Sequence, residues 1–279
     1  MQDFGFDICY EAKNSKEFTK LLKECAEHAI KSSNLSKEEI KFLLLYRGVN
    51  YDFLSMENHS ELAIFRYLST RLHYELNLPN ANAITLSEQG CCGLLTMINL
   101  GYHYLNSSGE KAVLGLAGDF LPHGSKREVI YNLMSDAACG FILQTNSPKN
   151  KIVGYHQTLH SYYWDTPDRE DELLASYFPI AERTIKQALV KCGLKVEDVD
   201  WFIPHNVSKR SWEILAKLIN IPQEKIWTEN IAHKGHTVTC DHIINLFDME
   251  HKNLLKKGDI LALFTFGFGA IWSCMIIKH

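Results

Sequence analysis

Leu35-Ser36-Lys37-Glu38-Glu39-Ile40-Lys41-Phe42-Leu43-Leu44 returns 159 residues later as Leu194-Lys195-Val196-Glu197-Asp198-Val199-Asp200-Trp201-Phe202-Ile203. Each copy follows a helix-like segment, Phe18 to Ser32 or Ala181 to Cys192, and each runs into a short apolar strand. Two further pairs keep the same order. Leu76-Asn77-Leu78-Pro79 with Thr85 matches Ile219-Asn220-Ile221-Pro222 with Thr228, and the strand-like Lys111 to Ala117 matches Asp259 to Thr265. Gly90-Cys91 then falls opposite Gly235-His236. Such self-similarity marks a duplicated architecture. Continuous apolar strands alternating with helices are buried on both faces, which is the α/β arrangement. The expected molecule is a pseudo-twofold pair of βαβαβ halves, 1–148 and 149–279, layered α/β/α/β/α, with the seam in Thr145 to Lys151. The polar stretch Trp164 to Glu172 reads as the one clear loop. Tyr46, Cys91, His205 and His236 then sit at strand ends that converge near the axis, where α/β sheets collect their ligands.

Composition narrows the function. The chain of 279 residues is 46% hydrophobic and 22% charged, an ordinary globular balance. A net charge of −4 without a basic block gives no nucleic-acid or acidic-membrane surface. Eight cysteines scattered through apolar contexts read as reduced thiols. The first residues show no basic-then-apolar leader, and no run approaches the roughly 18 to 20 apolar residues of a membrane span, so a soluble, cytoplasmic protein is expected.

The chemistry concentrates in Gln89-Gly90-Cys91-Cys92-Gly93, between the β-like Ala83 to Leu86 and the apolar run Leu94 to Leu100. A strand-turn-helix junction places Cys91 at a helix N-terminus, where unpaired backbone N–H groups favour thiolate. His205 closes the apolar strand of the second copy, and His236 stands in the turn equivalent to that of Cys91. A thiol with two histidines fits a nucleophile, a base and a polarising partner.

At these residues the chain resembles the ketoacyl-acyl-carrier-protein synthase III family of the thiolase superfamily, over about residues 18 to 279. Cys91-Cys92-Gly93-Leu94 is similar to the family's nucleophile motif. Trp201 to Asn206 resembles its Asp-Trp-hydrophobic-x-Pro-His-Gln, Lys234-Gly235-His236-Thr237 its Tyr-Gly-Asn-Thr, and Phe266-Gly267-Phe268-Gly269 its glycine-rich turn. The resemblance implies a thiolase-like fold and an acyltransferase that moves an acyl group from a thioester through Cys91 to an O, N or C acceptor. Secondary metabolism or fatty-acid and polyketide synthesis is the implied setting. It implies no cofactor, the donor riding on acyl carrier protein or coenzyme A, and a dimer with itself or a related subunit. Backbone amides of Cys91 and Phe268 would form the oxyanion hole.

Three departures bear on the chemistry. His236 stands where the family commonly has Asn, and Gly235-His236 followed by Asp241 looks like the Gly-His-x4-Asp of a divergent acyltransferase subgroup. The expected arrangement has His205 as general base, Asp241 fixing its tautomer, and His236 donating a hydrogen bond near the thiolate. Phe268 replaces the middle glycine of the C-terminal turn. The family's first strand and the following segment, with a Trp and an Arg that grip coenzyme A, have no counterpart, so delivery by a carrier protein or partner is expected. Two rival readings stand beside this one. His233, His236, Cys240, Asp241 and His242 could bind zinc, although no second ligand cluster closes a tetrahedron, and no metal site is expected. The chain could also be a non-catalytic thiolase-fold partner of a heteromeric synthase.

Overall fold

The structure, a computed structural model, describes residues 1–49 and 65–279. Helix α1 (Ser15–Ser33) starts where the Asn14 side chain accepts the Glu17 N–H and buries Phe18, Leu22, Ala26 and Ile30, a stripe at helical spacing. A single 3-10 turn, Lys37–Glu39, then feeds β1 (Ile40–Tyr46). The second copy of the repeat does the same: α4 (Glu170–Lys191), the turn Val196–Asp198, and β8 (Trp201–Pro204). In the second repeated pair, α2 (Leu68–Leu76) and α5 (Lys209–Ile219) each end on an asparagine in the left-handed region, Asn77 at φ 51° and Asn220 at φ 59°. Asparagine tolerates that conformation better than other side chains, so the repeated Leu/Ile-Asn-Leu/Ile-Pro is a helix stop.

Two four-stranded sheets result among the described residues. The first runs β2-β1-β3-β6, with β2 (Asn82–Leu86) and β3 (Ala112–Asp119) parallel to β1 and β6 (Ala137–Gln144) antiparallel to β3. The second runs β7-β10-β9-β8, with β9 (Ile260–Gly267) parallel to β8, and β10 (Ile271–Lys278) antiparallel to both β9 and β7 (Lys151–Leu159). A small hairpin, β4 (Glu128–Val129) with β5 (Asn132–Leu133), lies between β3 and β6 in sequence. Helices α1 and α2 cover the outer face of the first sheet, and α4 with α5 covers that of the second. Between the sheets lie α3 (Gly93–Ser108), which touches β1, β3, β6 and β10, and α7 (Asp241–His251), which touches β8 and β6. The order is therefore α/β/α/β/α, with one apolar core under each outer helix layer and a third between the two sheets. The short α6 (Glu229–Lys234) precedes the turn that leads into α7. Among the described residues no helix is long and apolar enough to cross a membrane.

One expectation is corrected here. The stretch Trp164 to Glu172 is not a plain loop: a 3-10 turn spans Pro167–Arg169 and α4 already begins at Glu170. Glu170, Asp171 and Glu172 form the first helical turn, where acidic side chains complement the helix dipole. Their polarity concealed a helix start.

Candidate active site

The turn that carries Cys91 is fixed from beneath by Tyr46, the last residue of β1. Its buried hydroxyl donates to the Gly90 carbonyl at 2.6 Å and accepts the Gln89 N–H at 3.2 Å. The ring fits because residue 93 has no side chain: a Cβ there would lie 1.8 Å from Tyr46 Cζ. A 3-10 turn, Gly90–Cys92, then runs directly into α3. The two adjacent thiols diverge. Cys92 is fully buried, its Sγ 3.2 Å from the Ile271 carbonyl, and burial pushes its pKa well above the ordinary thiol value. Cys91 is half-buried, and its Sγ lies 3.2 Å from Nε2 of His236.

His236 joins this thiol to a buried carboxylate. Its Nδ1 is 2.7 Å from Oδ2 of Asp241, at the start of α7. Asp241 also accepts the Asn206 N–H at 2.7 Å, the Thr237 N–H at 2.7 Å and the Thr237 hydroxyl at 2.5 Å. Burial alone would favour the neutral form of each partner. For Asp241 the charge of His236 and these donors outweigh it, so the carboxyl sits well below its usual range. For His236 burial is likewise overcome, by Asp241 and then by Cys91, and its pKa stands well above the ordinary histidine value. Both directions favour the charged pair, imidazolium with carboxylate.

This geometry corrects the expected partnership of Asp241 with His205. The segment between His236 and Asp241 turns back on itself through Val238 at φ 59°, which brings Asp241 to the His236 ring. Asp241 touches only the backbone beside His205, at Asn206. His205 is 1% exposed, its ring 6.0 Å from that of His236, and neither of its nitrogens has a hydrogen-bond partner among the described residues. Burial, with the neighbouring His236 adding to it, pushes its pKa well below the ordinary value, so it is a neutral imidazole. His205 lines a cavity of about 430 Å³, walled largely by Leu173, Tyr177, Phe178, Phe266 and Phe268.

The turns of the two sheets meet backbone to backbone. Gly90, at φ 50°, lies so close that a Cβ on it would come within 3.1 Å of both Gly267 Cα and Phe268 N; a Cβ on Gly267 would come within 2.9 Å of Cys91 N. The amides of Cys91 and Phe268 thus flank one contact. The zinc alternative loses its geometry. Nε2 and Nδ1 of His236 face Cys91 and Asp241, the Cys240 thiol donates to the Ala117 carbonyl at 3.3 Å, and His242 Nε2 lies 3.0 Å from the Phe264 carbonyl. Sequence reasoning passed over Asp119, a buried acid at the end of β3 that accepts the Thr239 hydroxyl at 2.7 Å. Its signal was a lone carboxylate closing an otherwise apolar strand.

The five-layer α/β/α/β/α arrangement of two matching sheets is the thiolase class of fold. Comparisons with known proteins agree. Residues 189–279 match the family model of the 3-oxoacyl-[acyl-carrier-protein] synthase III C-terminal region. Beta-ketoacyl-[acyl-carrier-protein] synthase III of Pyropia yezoensis is 24% identical over 287 residues, covering 96% of this chain and 86% of the relative. The crystal structure of 3-oxoacyl-[acyl-carrier-protein] synthase III from Aquifex aeolicus superposes with a TM-score of 0.80 at 20% identity, covering 97% of this chain and 86% of that one. The acyltransferase ChlB3 gives a TM-score of 0.80 at 16% identity, covering 93% and 83%. The fold of the chain is thus that of the thiolase-type synthases, and residues 189–279 carry the likeness to the 3-oxoacyl-[acyl-carrier-protein] synthase III C-terminal region.

Proposed function

We propose that this protein is an acyltransferase in which Cys91 carries the acyl group between a thioester donor and an oxygen or nitrogen acceptor. The observation that supports it best is the continuous line from Cys91 Sγ to His236 to Asp241. The Cys91 thiolate attacks the thioester carbonyl carbon, and the amides of Cys91 and Phe268 hold the oxyanion, one such donor being worth about 3 kcal/mol of barrier. The carbon–sulfur bond to the carrier breaks, and the His236 imidazolium gives its proton to the departing thiolate. His236, now neutral and oriented by Asp241, takes the proton of the incoming hydroxyl or amine as that atom attacks the acyl-cysteine. Cys91 leaves as thiolate beside a restored imidazolium. His205, neutral and facing the cavity, orients the substrate by a hydrogen bond, a task for which imidazole suits better than imidazolium.

A heteroatom acceptor fits this pair because O–H and N–H nucleophiles need a base, whereas a decarboxylating condensation generates its carbanion by loss of carbon dioxide. The donor is a thioester on a phosphopantetheine arm, borne by acyl carrier protein or by coenzyme A, and the reading includes assembly as a dimer. ChlB3, of the same fold, is described as an acyltransferase. Intact mass spectrometry after incubation with a panel of acyl-carrier-protein and acyl-coenzyme A thioesters tests the reading. The expected result is one acyl adduct, absent in Cys91→Ala. No adduct with any donor, or efficient malonyl decarboxylation with a β-ketoacyl product, would overturn it.

A further inference from the structure

Between His236 and Asp241 the chain holds a conformation it would not choose. Val238 is 6% exposed and sits at φ 59°, where a β-branched side chain crowds its own backbone. The Thr239 N–H donates to the Thr237 carbonyl at 2.6 Å, closing a three-residue turn around it. Such a turn persists only when its surroundings over-determine it. Here they do so from three sides. His236 is pinned first, its N–H donating to the Leu133 carbonyl and its carbonyl accepting the Ser135 N–H, both at 2.8 Å. Asp241 then grips Thr237 through its N–H and hydroxyl.

The third side is Asp119, 1% exposed at the end of β3. One carboxylate oxygen accepts the N–H groups of Gly48 and Val49 at 3.0 and 2.8 Å, just past β1, and the other accepts the Thr239 hydroxyl at 2.7 Å. Gly48 closes the wall behind the turn: a Cβ on it would come to 2.8 Å from Thr239 Cγ2 and 3.0 Å from Val238 Cγ1. A carboxylate of the first sheet thereby holds the turn on which the His236–Asp241 pair depends, while itself touching none of the reacting atoms.

We propose that Asp119, acting through the Thr239 hydroxyl, is a positioning residue: it clamps the strained Val238 turn and so presents His236 to Cys91. If the clamp is released, Val238 relaxes to negative φ, Thr237 swings, and Asp241 is carried off the Nδ1 side of His236. The purpose of the clamp rests on the acyl-transfer reading, but its existence does not.

Two measurements test it. The rate of Cys91 alkylation by iodoacetamide at pH 7, followed by mass spectrometry, needs no knowledge of the natural acyl group. Thr239→Val keeps the shape and removes the hydroxyl, and should slow alkylation by about tenfold or more, since small misplacements of a catalytic group carry penalties of that order. Thr239→Ser restores the hydroxyl and should return the rate to within about twofold of wild type, a rescue that follows from hydrogen bonding and not from packing. Thermal melting then compares Val238→Gly with Val238→Ala. Both lose the two buried γ-methyls and glycine loses the β-carbon as well, so a higher melt for glycine reads the backbone against that loss. Glycine should melt above alanine by about 2 to 4 °C, the reverse of their order at ordinary φ. Wild-type alkylation in Thr239→Val, failure of serine to rescue, or alanine melting above glycine would each overturn the clamp. If His236→Ala leaves Cys91 alkylation unchanged, the acyl-transfer reading falls instead, and the glycine–alanine comparison still decides whether the turn is held under strain.

Discussion

Asp241→Asn is the sharpest single perturbation of the site, because the volume is kept while a buried acceptor becomes a donor. In the native protein one carboxylate oxygen faces two donors, Asn206 N–H and His236 Nδ1, and the other faces the N–H and hydroxyl of Thr237. An amide can satisfy one side only; in either orientation its NH2 meets at least one backbone N–H. The loss comprises a charge-assisted bond to a buried imidazolium, about 1.5 to 3 kcal/mol, and an unpaired buried N–H, about 1 to 3 kcal/mol. A total of about 4 kcal/mol lowers the melting temperature by about 10 °C for a chain of this size. The same change removes the charge that favours His236 as an imidazolium beside Cys91, so the acylation step itself should slow by about 10³-fold, equivalent to about 4 kcal/mol of barrier. Single-turnover acylation with an excess of the best thioester, quenched and read by intact mass, measures that step, and a melt taken alongside shows that the variant is folded. Acylation within about tenfold of wild type in a folded Asp241→Asn protein would refute the assignment of His236 and Asp241 as the activating pair.

Peptide mapping of the adduct should place the acyl group on Cys91 alone; a label on Cys92, fully buried with a raised pKa, would require the turn to be rebuilt. Gly93→Ala should cost about 3 kcal/mol, since its Cβ would lie 1.8 to 2.4 Å from three atoms of the buried Tyr46 ring, and an unaltered melt would show that the ring is free to move. Stability should fall as pH drops from about 6.5 toward 4. His242, buried with a pKa pushed down to about 4, stays neutral in the fold while its unfolded counterpart takes up a proton, a penalty of about 3 kcal/mol by pH 4, and buried His205 acts in the same sense. His236 acts in the opposite sense: its raised pKa gives stability that is fully present below the ordinary histidine value and is lost as pH rises through its folded pKa. Asp241, with a lowered pKa, contributes above the ordinary carboxylate value and loses that contribution only at strongly acid pH. Urea unfolding between pH 7 and 4 should therefore show a steep acid limb that His242→Gln flattens; an equal slope in the variant would remove His242 as its source.

Much of the architecture was legible because local chemistry is repeated. The Leu-x-x-Glu/Asp strings become a 3-10 turn and a strand in both places, and the Asn-Leu/Ile-Pro strings become two helix stops. The opposition of Gly90-Cys91 to Gly235-His236 likewise foreshadowed two side chains that meet at 3.2 Å. The partner of Asp241 was not legible. It depends on Val238 adopting a left-handed φ, and no propensity places a β-branched residue there; tertiary contacts with Asp119 and Gly48 impose it. Asp119 itself reads as the polar end of a strand until three donors from distant segments are seen around it. The start of α4 was hidden because a run of acids and a proline serves equally as loop and as helix N-terminus.

The meeting of Gly90 with Gly267 also orders events during synthesis. The two residues are 177 positions apart, so Cys91 is made long before β9 exists to bring Gly267 and Phe268 against it, and before His236 and Asp241 can supply charge. A growing chain therefore carries a cysteine with no imidazolium beside it and no second amide at its side. On the proposed acyl-transfer reading, reactivity toward thioesters would switch on late, when the second sheet closes over α3, and an unfinished chain would be spared a covalent acyl group lodged where its own core has yet to pack.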